Sequence, residues 1–382
     1  MKGLYVHIPF CDHICSYCDF LKLVSKEPLK KQYIDALINE IDLKIDNDSM
    51  TNIDTIYIGG GTPSCLPLFL LEKLLIKLDE IFKTNKIKEY TIEANPIDIT
   101  EDFLELITKY KINRLSLGVQ SFHDKKLKLL NRNHTRKIAI NSINLAKKYV
   151  NNISIDLIYG FSLDTFKYLK QDLEKAIELG VNHISAYSLI LEDKTLLKHL
   201  YDKGEFSLME EDKEAKLYYK IASFLENNNY NHYEVSNFAL KGYESIHNKI
   251  YWNNELYEAV GIGASSYIKI NNEYHRLKNI TKVSDYNRLM LDDERNINNI
   301  IQEDDLLNIN DIMEEEIMLG LRLMQGINKN NFKNKFNTDI KDAYPHINNL
   351  IKDKLLMENE EYIYINKEKL YISDSIILFI YN

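Results

Sequence analysis

Apolar positions in the first half of the chain alternate between two periods. Short runs rich in β-branched and aromatic residues cover 4–9, 55–58, 90–94, 114–119, 153–159 and 183–191. Between them, apolar residues recur at three- and four-residue spacing over 29–45, 66–82, 103–110, 138–149 and 168–179, the signature of amphipathic helices. Strands alternating with helices predict parallel βαβ units. The repetition predicts an α/β fold with a partial (β/α)6 barrel of the TIM-like kind. Such folds place ligands at the C-terminal ends of their strands.

The pattern changes near residue 200. A charged helix is expected over 210–226, short aromatic-rich segments through 267, and a Glu-rich helix over 312–324. A helix over 347–356 followed by strands at 361–365 and 369–372 predicts a small α+β domain of winged-helix type. The Asn- and Lys-rich stretches within 290–340 read as surface loops. The expected division is 1–200, an extension 201–290, and a C-terminal domain 291–382.

The 382 residues carry 48 Lys plus Arg against 57 Asp plus Glu, a net charge of -9. That balance argues against a nucleic-acid partner, which needs clustered cations. No apolar run approaches the length of a membrane span. Motif-like sequence begins at Tyr5, which leaves no room for a signal peptide, so a cytoplasmic location is expected.

Three of the four cysteines are Cys11, Cys15 and Cys18, in a C-x3-C-x2-C arrangement. In a reducing compartment such a group reads as metal binding rather than disulfide formation. Thiolates are the natural ligands of iron–sulfur clusters, and three on one loop leave one iron of a 4Fe–4S cubane open. The competing reading is a zinc knuckle completed by His7 or His13, although zinc sites are usually closed and built from two pairs. Cys65 reads as a small buried apolar residue.

Other unusual residues fall at strand ends. Gly59-Gly60-Gly61-Thr62 permits close backbone approach to a ligand, with a tight turn as the bland alternative. Glu93 is a carboxylate in an otherwise apolar strand and needs a partner there. Gln120, Arg132 and Asp156 follow in order, each with a structural alternative. Farther on stand Glu234-Val235-Ser236-Asn237 and His247-Asn248-Lys249-Ile250-Tyr251-Trp252.

The cysteine motif, with Tyr17 just before its last cysteine, resembles the radical S-adenosylmethionine superfamily. The order and spacing of the remaining segments resemble the anaerobic coproporphyrinogen oxidases and their relatives, the heme chaperones called HemW, over about 5–267. The resemblance implies a 4Fe–4S cluster on Cys11, Cys15 and Cys18. It implies S-adenosylmethionine beside Tyr5, Tyr17, Gly60, Gly61, Thr62, Glu93, Gln120, Arg132 and Asp156. It also implies heme, an acceptor protein for it, and an electron donor for the cluster. A homodimer and a peripheral membrane contact through the acceptor are further expectations.

Two features separate the relatives. The oxidases carry a fourth cysteine where Phe20 stands here, and an N-terminal extension ahead of the motif. Both differences favour the chaperone, with oxygen-independent coproporphyrinogen oxidation through a 5′-deoxyadenosyl radical, or another radical S-adenosylmethionine enzyme, as the alternatives. The His247 segment resembles the chaperone signature H-N-x-x-Y-W. A neutral imidazole is a standard axial ligand for heme iron, so His247 is a candidate heme ligand, against the alternative of a packed histidine between aromatic residues. Ser162 replaces a common family proline. Tyr267 stands where the chaperones commonly have histidine.

Overall fold

The computed structural model describes residues 1–47, 49–82 and 87–381. Six parallel strands lie side by side in sequence order: β1 (Gly3–Ile8), β2 (Thr55–Gly60), β3 (Glu89–Ala94), β4 (Arg114–Gln120), β5 (Asn152–Tyr159) and β6 (His183–Ser188). Each expected strand is present, with ends shifted by a few residues. The connecting helices Glu27–Asp46, Leu68–Phe82, Glu101–Lys109, Arg136–Ala146 and Phe166–Glu178 bury their periodic faces. Thr100, Thr135 and Thr165 cap three of these helices by accepting from the third backbone amide onward.

The extension beyond residue 200 joins this same sheet at both edges. On one side β7 (Tyr230–Glu234) and β8 (Asn237–Leu240) add antiparallel to β6. On the other, β9 (Tyr257–Val260) runs parallel to β1 and is followed by the antiparallel β10 (Ser265–Ile270), β11 (Glu273–Asn279) and β12 (Ile301–Leu307). The result is one open sheet of 12 strands rather than a ring, with β12 and β7 as its ends. A buried carboxylate ties the new edge to the core. Glu40 on the first helix accepts from the Gly261 amide (2.8 Å), the Asn279 side chain (2.8 Å) and the Tyr286 hydroxyl.

A separate sheet of three strands, β13 (Ile327–Asn328), β15 (Tyr362–Ile365) and β14 (Leu356–Glu358), forms the C-terminal unit. Two expectations fail here. Segment 369–372 is not a strand: it belongs to a 3-10 helix, Lys367–Ile372, and the partner of β15 is instead β14. The last nine residues described, Ser373–Tyr381, are an unforeseen helix burying Ile376, Ile377 and Ile380. The 290–340 stretch is likewise not loop, since it contains β12 and the helices Ile309–Gly320 and Lys329–Phe336.

Candidate functional site

The cysteine loop leaves β1 and is fastened to the end of β2 by backbone pairing. The Gly61 amide donates to Ile8 O (2.8 Å) and the Thr62 amide to Phe10 O (2.7 Å). A Cβ on Gly61 would lie 2.6 Å from Phe10 O, so only glycine lets the two chains approach this closely. Gly60 adopts φ +114°, and a Cβ there would strike the His7 ring at 2.6 Å. The glycine triplet therefore seats the cysteine loop as well as opening space above it.

Cys11, Cys15 and Cys18 line one cavity together with Tyr17, Gly60, Gly61, Thr62, Glu93, Gln120, Arg132 and Asp156. Nearly all of the sequence-predicted residues thus converge at the C-terminal ends of β1–β5. His247 is one exception, and Tyr5 is another. It lies farther down the sheet, its hydroxyl 3.0 Å from His7 Nδ1 and its ring 6.2 Å from that of Tyr57, and it lines neither this cavity nor the one beside it.

Burial pushes the Cys11 and Cys18 thiols up from the ordinary thiol range, opposed by Thr62 at Cys11 and by Lys22 at Cys18. The third is held by a cation: Arg132 Nη1 donates to Cys15 Sγ at 3.1 Å. Its Nη2 donates to Asn95 Oδ1 (2.6 Å) and Gly118 O (2.6 Å), while its buried Nε has no partner. Lys22 carries no signal in the sequence; only the fold brings it to Cys18.

The donor set fits a cubane better than a single ion. Among the described residues, no three His, Cys, Asp or Glu side chains converge closely enough to share one metal ion. His7, a possible zinc ligand by sequence, has both ring nitrogens engaged, Nδ1 with Tyr5 and Nε2 with Leu21 O at 3.1 Å. Three thiolates around a shared hollow, with a guanidinium on one of them, suit a larger anionic cluster.

Two acids face the hollow. Glu93 accepts from the Tyr57 hydroxyl (2.6 Å) and the Gly60 amide (3.1 Å). Burial, reinforced by the charge of Asp156, pushes its carboxyl up to about 7 despite those hydrogen bonds. Burial likewise pushes Asp156 up to about 6, against the Ser185 hydrogen bond and the Arg114 and Arg132 charges. Carboxyls so poised can carry a proton or meet a ligand's ammonium near neutral pH.

His247 lies elsewhere. The Glu89 carboxylate receives Ser245 Oγ (3.0 Å) and the amides of Ile246 (2.8 Å) and His247 (3.1 Å), pinning the helix Ile246–Trp252 beneath the starts of β2 and β3. That is the opposite end of the strands from the cysteines. Both imidazole nitrogens are engaged, Nδ1 with Thr55 Oγ1 (2.7 Å) and Nε2 with Tyr251 Oη (2.8 Å), and the residue is 1% exposed. The expectation of an available axial heme ligand is corrected on these grounds: no imidazole lone pair faces a cavity. Tyr251 packs edge-on to His247 and Tyr257, and Trp252 lies 5.9 Å from the Arg322 guanidinium. Tyr267 is fully buried and stacks on Tyr274.

Comparison with known proteins agrees with the geometry. The model of the Radical SAM superfamily matches residues 5–176, and that of the HemN C-terminal domain matches 307–368. The heme chaperone HemW of Lactococcus lactis is 39% identical over 366 residues, covering 95% of this chain and 93% of the relative. HemW of Bacillus subtilis is 35% identical, covering 94% of each. The coproporphyrinogen III oxidase HemN of Escherichia coli superposes with a TM-score of 0.84 at 21% identity, covering 99% of this chain and 89% of the other, a likeness of fold. On its sequence, its cysteine site and its extent of match, the chain belongs to the HemW heme chaperone family within the radical S-adenosylmethionine superfamily.

Proposed function

We propose that this protein is a heme chaperone, which binds heme and passes it to an acceptor protein with the help of a 4Fe–4S cluster and S-adenosylmethionine. The observation that carries the proposal is the near full-length match to two HemW chaperones. Phe20, at the position where the oxidases have cysteine, is consistent with it and stands 66% exposed at the mouth of the site.

Cys11, Cys15 and Cys18 would hold the cluster, with Arg132 neutralising part of its charge through Cys15. When bound, the cluster would supply an open iron and an electron to S-adenosylmethionine. Around that ligand, Gly60, Gly61 and Thr62 offer backbone groups, Glu93 and Asp156 offer acceptors, and Gln120 and Tyr17 complete the wall. Tyr5 would act from behind, by holding His7. Among the described residues no helix is long and apolar enough to cross a membrane. A cytoplasmic site of action, an electron donor, a dimer, and membrane contact through the acceptor belong to the same proposal.

The test is anaerobic reconstitution followed by two assays on one sample. Heme should bind at a single equivalent per chain, and coproporphyrinogen III should not lose carbon dioxide. Conversion of coproporphyrinogen III without stable heme binding would replace this reading with the oxidase reading.

A further inference from the structure

A second cavity, of 390 Å³, adjoins the cysteine hollow through Glu93, Gln120 and Asp156 and continues down the inner face of β4–β6. Its two ends differ in chemistry. The mouth presents the apolar side chains Phe20 and Ile190, which are 66% and 67% exposed, with Leu189 and Ile158 behind them and the exposed carboxylates Asp19 and Glu192 at its rim. The depth is polar, formed by Arg114, Ser116, Ser154 and Asn248.

Arg114 stands out there. It opens β4, a strand of seven residues and therefore ~20 Å long, with Gln120 at the other end. It is 3% exposed. Its Nη1 donates to Asn152 Oδ1 (3.2 Å) and Tyr243 O (3.3 Å), while its buried Nε has no partner. No carboxylate among the described residues is within ion-pair distance of it. Asp156 feels its charge across the cavity but is itself hydrogen-bonded to Ser185. A buried guanidinium left without a counter-ion is costly, and its planar fork matches a carboxylate.

We propose that Arg114 is the anchor for a carboxylate of the ligand that enters this cavity. Resting on the heme-chaperone reading, that carboxylate is a propionate of the porphyrin. The ring enters edge-on, with its apolar face against Phe20 and Ile190 and a propionate directed toward the guanidinium. The heme-contacting surface is thereby placed inside the sheet next to the S-adenosylmethionine hollow, and not at His247.

The test uses the reconstituted full chain, titrated with heme and with heme dimethyl ester, whose propionates are uncharged. Wild type should bind heme about tenfold or more tightly than the ester, as expected for loss of a charge-assisted pair. Arg114→Gln should bind both ligands alike, at the ester's affinity, while Arg114→Lys should recover part of the preference. Circular dichroism checks that the variants are folded. Equal affinity of wild type for heme and ester overturns the assignment without recourse to any variant, as does a full preference retained in Arg114→Gln. Wild type that binds no heme at all removes the chaperone reading together with this assignment, a result distinct from the other two.

Discussion

Glu93→Gln isolates the cost of a buried carboxylate at the heart of the site. The carboxyl is pushed up to about 7 from an ordinary 4.5, chiefly by burial. A folded-state value above the unfolded one means that the native protein binds the proton more tightly. Stability is then greatest below the unfolded value and falls as pH rises from about 4.5 to 7. Each pH unit of the difference is worth about 1.4 kcal/mol, so the ionised group costs the native state about 3 kcal/mol above pH 7.

Glutamine removes that cost with little loss of contact. Its carbonyl can accept from the Gly60 amide, and its amide can donate to the Tyr57 oxygen. Asp156 and Glu234 titrate in the same window, so wild-type stability alone is not diagnostic, and the difference between variant and wild type is the quantity to follow. The assay is urea unfolding of cluster-free protein from pH 5 to 8 under reducing conditions. The advantage of the variant over wild type should widen by roughly 1–3 kcal/mol between pH 5 and pH 8. A difference that stays flat with pH, or that shifts toward wild type as pH rises, would refute the reasoning.

Two further predictions concern elements around the site. Gly61→Ala places a methyl 2.6 Å from Phe10 O, against backbone that cannot yield, and should lower stability by about 1–3 kcal/mol and reduce iron incorporation, read by urea unfolding and iron analysis. His247→Ala removes two buried hydrogen bonds and should cost about 3 kcal/mol, yet leave heme stoichiometry unchanged in a titration below the unfolding transition; loss of heme binding from a folded variant would reinstate His247 as a ligand.

The parallel core was legible because its strands carry apolar residues at alternate positions, such as Leu115, Leu117 and Val119 in β4, and are separated by helices with clear periodicity. Strand β12 was not legible, and the reason is physical. Its sequence Ile-Gln-Glu-Asp-Asp-Leu-Leu is almost wholly exposed at the edge of the sheet. It is held by backbone pairing to β11 and by cross-strand pairs such as Lys278–Glu303 (2.9 Å), which leave no apolar period. Segment 369–372 has the composition of a strand, yet lies in a 3-10 turn leading to the last helix.

Within the site, the cysteines and glycines were readable from spacing. The contact of Arg132 with Cys15 joins residues 117 apart in sequence, and no local pattern reports it. The position of His247 was not legible, because a motif gives residue types but not which end of the strands they occupy. Its neighbours Thr55 and Glu89 on β2 and β3 decide that.

The central claim is that three thiolates grip a cubane. It is tested most directly by iron and sulfide analysis with Mössbauer spectroscopy, comparing anaerobically reconstituted wild type with the Cys11→Ala/Cys15→Ala/Cys18→Ala variant. Wild type should hold about four iron and four sulfide per chain with the spectrum of a [4Fe–4S] cluster, and the triple variant none. Equal iron in the two proteins, or a wild type that takes up zinc and no sulfide, would contradict the account.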